Sequence, residues 1–152
     1  VAKFTAEQAI AYVTIQQLIH DWADELDITN GLKMADLVTE SCHYTVRGEP
    51  RLSRDEVVKF YQGRLNELEA TPAGVPDHRH ILSNLRADFR NDDHAAIEFK
   101  LVYFTTAGVS TGLEHADPAA VADVRMEVRR EADGHWRISR FDSNQLFRRV
   151  PK

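Results

Sequence analysis

Disulfide chemistry is the first thing this sequence excludes. Its 152 residues contain one cysteine, Cys42, so no intramolecular disulfide forms and a reducing, cytoplasmic setting is expected. No apolar run approaches the roughly 20 residues that a membrane-spanning helix needs. Val1 to Gln8 hold no basic segment followed by an apolar stretch, so no signal peptide is expected. Positive charge is not in excess: 19 Lys and Arg stand against 24 Asp and Glu, a net charge of −5. That balance gives no general attraction to nucleic acid or to an anionic membrane. Glycine-rich phosphate loops, Gly-x-Ser-x-Gly and His-Glu-x-x-His are all missing. No internal repeat, low-complexity tract or linker interrupts the chain.

What is present has the composition of a globular domain, 43% hydrophobic and 28% charged. Residues 1–152 are expected to form one domain. Thr5-Ala6-Glu7-Gln8 has the form of a capping box and starts a helix near Ala6. Ala9, Ile10, Val13, Leu18, Ile19, Trp22 and Leu26 then recur at helical spacing as one buried stripe. Asn30-Gly31 breaks that helix, and Leu32 to Val38 predicts a short second one. Cys42 to Arg47 reads as a strand with Cys42, Tyr44 and Val46 on one face, followed by a Gly48-Glu49-Pro50 turn. Ser53-Arg54-Asp55-Glu56 opens a further helix carrying Val57, Phe60, Tyr61, Leu65 and Leu68.

After the Pro- and Gly-rich loop at Thr71 to Pro76 the period changes. His78 to Phe89, Ala95 to Thr106, Ala119 to Arg130 and Trp136 to Phe147 read as four long antiparallel strands. Asn91-Asp92-Asp93 and Ala132-Asp133-Gly134 supply hairpin turns, and Gly108 to Pro118 a longer loop. The fold class is therefore α+β. We expect a strongly curved, mainly antiparallel sheet, a cone-shaped half-barrel with the N-terminal helices on its concave face. The mouth of such a cone is where a small-molecule pocket forms.

Two residues carry the expected chemistry. Asp27 ends the first helix, about 100° from Leu26 on the helical wheel, and so reaches the rim of the buried face. His80 opens an apolar strand. A carboxylate beside a neutral imidazole fixes its tautomer and stabilises the imidazolium that forms when a proton is taken. His78 and His80 share a face at a spacing that also suits zinc. A third ligand from His43, His94, His115, Asp27 or Glu98 is not grouped with them by any recognisable motif, so neither metal nor cofactor is expected. Cys42 alternates with Tyr44 and Val46 and reads as core. Strand and helix parity puts Trp22, Leu26, Tyr44, Val46, Phe60, Tyr103, Val124 and Met126 on the pocket wall. Arg140, in phase with Trp136 and Ile138, is expected to bring a charge inward. Tyr44, Tyr103 and Arg140 have polar ends that could meet a substrate oxygen.

Asp21-Trp22-Ala23-Asp24-Glu25-Leu26-Asp27, Arg79-His80-Ile81-Leu82-Ser83-Asn84-Leu85-Arg86 and Asp133-Gly134-His135-Trp136-Arg137-Ile138 together resemble the nuclear transport factor 2-like superfamily in its SnoaL-like branch. The first two segments are similar to the catalytic segments of scytalone dehydratase and hexachlorocyclohexane dehydrochlorinase. The resemblance implies Asp27 and His80 as a catalytic dyad in a cofactor-free lyase. It also implies a homo-oligomer, a trimer ahead of a dimer. Leu26 stands where scytalone dehydratase has a tyrosine, and Ala122 and Val124 fall near its substrate-strand serine and asparagine. The implied substrate is a different small aromatic or alicyclic molecule, undergoing elimination or retro-aldol cleavage. Alternatives in the same fold are the non-catalytic small subunit of an aromatic-ring dioxygenase, which has a similar Arg-His-x-x-Ser-Asn strand, and a polyketide cyclase or isomerase.

Overall fold

A computed structural model describes residues 4–109, 112 and 117–149. Helix α1 (Ala6–Thr29) is followed by a single 3-10 turn at Met34–Asp36, strands β1 (Val38–Val46) and β2 (Glu49–Arg51), and helix α2 (Arg54–Glu69). Four long strands complete the chain: β3 (His78–Asn91), β4 (His94–Thr105), β5 (Ala120–Arg130) and β6 (Trp136–Arg148). They form one six-stranded sheet in the order β2-β1-β6-β5-β4-β3. All neighbours run antiparallel except β1 and β6, which run parallel. The sheet is curved and unclosed, with β2 and β3 at its two edges. This is the α+β architecture expected from the alternation of periods along the chain.

The Thr5 hydroxyl accepts from the Gln8 N–H and the Gln8 side chain accepts from the Thr5 N–H. This closes the capping box and starts α1 where the sequence placed it. Inward residues of α1 are Ile15, Leu18, Ile19, Trp22, Ala23 and Leu26, a stripe at intervals of three and four residues. Ile10 and Val13 were expected on that stripe. They are 71% and 65% exposed, because extending the stripe back from Ile15 passes through Tyr12 and Ala11 instead. The helix ends at Asn30 with φ 58° and Gly31 with φ 86°, the left-handed geometry of a helix stop. A side chain at Gly31 would sit 2.5 Å from the Tyr61 ring, so glycine also lets α1 turn closely against α2.

The first strand starts earlier than expected, at Val38, where the second short helix was predicted to end. Glu49 and Pro50, expected only as a turn, lie in the three-residue edge strand β2. Proline fits there because an edge strand leaves alternate N–H groups unpaired. Two of the register shifts in the sheet shape the site. In β3, the register shifts between Ser83 and Arg86, with Asn84 at φ 56°. The bulge bends the strand around α1, and the freed Leu85 carbonyl accepts from the Tyr12 hydroxyl at 3.1 Å. In β6, Val128 pairs with Ile138 but Glu127 pairs with Arg140. Ser139 is therefore an extra residue, and the side chains from Arg140 to Gln145 change face. The core lies between α1 and the sheet, around Trp22, Tyr44, Ile97, Phe99, Met126 and Ile138.

Candidate active site

β3 is an edge strand, and an edge strand presents N–H groups that no neighbour takes. The N–H of His80 is one of these. It donates to Asp27 Oδ2 at 2.9 Å, while Asp27 Oδ1 lies 2.6 Å from His80 Nδ1. A carboxylate only accepts, so Nδ1 carries a proton, and whenever the ring is neutral the lone pair is on Nε2. The pair is well shielded, with side-chain exposures of 15% for His80 and 6% for Asp27. The imidazole lies between Tyr103 and Trp22, with ring centroids 4.8 Å and 6.0 Å away. His80 and Tyr103 are direct cross-strand partners. An N–H that points away from the partner strand makes theirs the closer, non-hydrogen-bonded kind of pair.

His78, two residues earlier, holds the helix in place. It is 3% exposed, and its Nε2–H donates to the Leu26 carbonyl at 2.7 Å. The residue before Asp27 is thus tied to the same strand that carries His80. Burial pushes the His78 imidazole below its ordinary pKa. It stays neutral, and its Nδ1 has no hydrogen-bond partner among the described residues.

His80 opens on a cavity of about 890 Å³ with an apolar floor that includes Leu26, Leu101, Val124 and Phe141. Three hydroxyl and indole groups form a relay behind and beside it. Trp22 Nε1–H donates to Tyr44 Oη at 2.9 Å, and Tyr44 Oη lies 2.8 Å from Tyr61 Oη. The indole can only donate, so Tyr44 accepts from it. Tyr44 is 0% exposed, and among the described residues the acceptor within reach of its own proton is Tyr61. The direction is therefore Trp22 to Tyr44 to Tyr61, which leaves the Tyr61 proton to point into the cavity that Tyr61 lines. Burial raises both phenols, Tyr61 to about 12, so both remain protonated donors.

The profile of the SnoaL-like domain matches residues 7–142. The chain belongs to the SnoaL-like domain family. Comparison with curated proteins gives no match. Among solved structures, a protein from Catenulispora acidiphila is 20% identical with a TM-score of 0.75, covering 93% of this chain and 95% of that one. A Novosphingobium aromaticivorans protein provisionally named scytalone dehydratase is 17% identical with a TM-score of 0.75, covering 95% and 89%. LinA is 16% identical with a TM-score of 0.72, covering 93% and 89%. At these identities the likeness is one of fold.

In this SnoaL-like domain, Asp27 and His80 meet as the sequence suggested. Trp22, Leu26, Val46, Phe60, Tyr103 and Val124 line the cavity with His80. Three expected wall residues lie elsewhere. Tyr44 stands behind the wall, stacked on Phe141 at 4.5 Å. Met126 is buried opposite Ile97 and Phe141, deeper than the cavity floor. Arg140 is turned outward by the Ser139 bulge, and its Nε donates to Asp142 at 2.7 Å. The same bulge brings Phe141, Ser143 and Gln145 to the cavity, and no glycine or proline marks its position. Tyr61 and Arg64, also missed, are legible only as members of the α2 stripe that runs through Phe60, Arg64 and Leu68.

The other suggested zinc ligands are dispersed. His94 bonds Glu127, Glu98 pairs with Arg125, and His43 is on the outer face beside Arg140. His115 is outside the described residues. Among the described residues, no group of three His, Cys, Asp or Glu side chains is placed to hold a metal. Cys42 is buried in the core, where burial raises its thiol pKa and disfavours the nucleophilic thiolate.

Proposed function

We propose that this domain is a lyase in which His80 removes a proton from carbon in a small, largely apolar ring substrate. His80 Nε2 takes the proton. The electrons of the broken C–H bond form a new C=C bond, and the leaving group departs from the neighbouring carbon with its bonding pair. When the leaving group is hydroxide, the imidazolium returns the proton and water is released. When it is a halide, the proton passes to solvent. Asp27 holds the ring in the required tautomer and balances the charge of the imidazolium. Tyr61 supplies a fixed donor for a substrate oxygen on which negative charge gathers.

One observation carries this reading: the 2.6 Å contact between Asp27 Oδ1 and His80 Nδ1 orients His80 from behind, while among the described residues its other nitrogen has no hydrogen-bond partner. General-base catalysis of this kind contributes about 10² to 10⁴-fold. Positioning in the cavity and charge stabilisation supply the rest. The test is mass spectrometry of products from a panel of β-hydroxy ring ketones and halogenated cyclohexanes. Loss of water or hydrogen halide by the wild type, absent in His80→Ala, is the expected result. A product of unchanged mass reassigns the dyad to isomerisation. Equal turnover by His80→Ala rejects the base role.

A further inference from the structure

The wall facing His80 is charged in a way that elimination alone does not require. The cavity lies between the two edges of the sheet. His80 comes from edge strand β3, while Arg51 comes from the opposite edge strand β2. Among the described residues, Arg47, Arg51, Lys59 and Arg64 line the cavity against the carboxylates of Glu49 and Glu67. This surplus of cations sits in a chain whose net charge is −5.

Nor are these side chains simply neutralised by neighbours. Among the described residues, Arg47, Lys59 and Arg64 have no ion-pair or hydrogen-bond partner on their side chains. Arg51 meets Glu49 Oε2 only at 3.4 Å, and that glutamate is 80% exposed. The Arg51 side chain is 14% exposed. It is fixed by donating to the Glu49 carbonyl at 2.6 Å and by lying 3.8 Å over the Phe60 ring. Arg64 is four residues from both Phe60 and Leu68, so it occupies the cavity-facing stripe of α2 where an apolar residue would otherwise pack. Arg64 is half-buried and lines the cavity beside Tyr61.

We infer that the substrate carries a permanent anion of the carboxylate type, held by Arg51 and Arg64 while its apolar ring faces His80. This rests on the reading of the cavity as a substrate site given above and adds the chemical class. Arginine suits the role because its planar fork matches two carboxylate oxygens. The geometry also gives orientation: anchoring an anion at the β2 and α2 wall turns the opposite end of the molecule toward the base.

Calorimetric titration of the full chain with benzoate, cyclohexanecarboxylate and 2-naphthoate, each against its neutral carboxamide, tests the inference. In about 50 mM salt the acids bind about tenfold or more tightly than the amides, and higher salt narrows the gap. Arg64→Met and Arg51→Met remove that preference while amide affinity changes less than about twofold. Thermal melting identifies any variant that fails to fold, and Arg64→Met, lacking the packing of Arg51 on Phe60, serves if Arg51→Met is unstable. Equal affinity for acids and amides, binding of neither, or a preference that survives both substitutions overturns the inference. His80→Ala separates the two readings. If it loses turnover but keeps the preference, both stand. If turnover depends on His80 and the acids are not preferred, only the anion assignment falls.

Discussion

Asp27 grips His80 twice, with one carboxylate oxygen on the imidazole and the other on the backbone N–H of the same residue. This has a specific consequence for Asp27→Asn. The backbone N–H can only donate, so the amide oxygen of asparagine must face it. The amide NH2 then faces Nδ1 and requires that nitrogen to accept. The ring proton moves to Nε2, and no lone pair is left toward the cavity. Turnover falls by about 10² to 10⁴-fold in a protein that still folds. Nitrogen-15 NMR of the ring reads the tautomer directly: Nδ1–H in the wild type, Nε2–H in Asp27→Asn.

The tyrosine relay makes a prediction about stability as well as chemistry. Tyr44→Phe leaves the Trp22 indole N–H buried without an acceptor, at a cost of about 1–3 kcal/mol. Tyr61→Phe leaves the Tyr44 proton without one, at a similar cost. In the double variant only the indole remains unsatisfied, so the two losses sum to more than the double loss. Urea denaturation of the three variants measures this coupling. Tyr61→Phe in addition lowers turnover, since it removes the donor that faces the cavity.

The strong periodic signals translated directly into structure. The alternation in His78 to Phe89 and Ala119 to Arg130 located β3 and β5 to within two residues, because a half-buried strand must alternate. The Asp27 and His80 positions were legible from helix phase and from resemblance. Their contact depends on a long-range fact that no local pattern carries: β3 is an edge strand, so the His80 N–H is available. The Ser139 bulge was equally invisible, since it follows from the β5 to β6 register and not from any turn-forming residue. Its effect on the site was large, moving Arg140 out and Phe141 in. The basic wall escaped because hydrophobic periodicity passes over an arginine on an apolar stripe, although Arg64 is spaced four residues from both Phe60 and Leu68.

Arg140 gives the sharpest contrast between strand parity and the bulged strand. Parity from Trp136 and Ile138 predicts an inward guanidinium, and its removal would then impair the reaction. In the structure the side chain is 50% exposed and paired with Asp142. Exposed pairs of this kind contribute about 0–1 kcal/mol. Arg140→Gln therefore leaves turnover unchanged and lowers stability by no more than about 1 kcal/mol. Steady-state kinetics and a thermal melt check both halves.

Gly31 couples the end of α1 to the relay. An alanine there places its Cβ 2.5 Å from the Tyr61 ring and at a φ of 86°, which side chains other than glycine rarely adopt. Gly31→Ala must shift Tyr61 or unwind the end of the helix that presents Asp27. Either change loosens the cavity, so the variant loses about 1–3 kcal/mol of stability and part of its activity. If it melts with the wild type and keeps full turnover, the close approach of α1 to α2 does not position Tyr61.

His78 makes the fold sensitive to acid. Its imidazole is neutral in the folded state because burial lowers its pKa, whereas in the unfolded chain it titrates at ~6.5. Below that pH the unfolded state binds a proton that the folded state refuses, so the His78 contribution to stability declines as pH falls. It is fully present above ~6.5 and is lost progressively down to the depressed folded value. Protonation in the folded state would charge the buried Nδ1, which has no partner among the described residues. The Leu26 carbonyl that Nε2–H holds sits one residue before Asp27, so the loss loosens the dyad along with the fold. Denaturant melts at pH 7.5 and 5.0 show the wild type weakened at the lower pH. In His78→Gln the amide keeps a donor for Leu26 but does not titrate, and the pH dependence shrinks. If that variant shows the full wild-type dependence, the acid sensitivity belongs to another group.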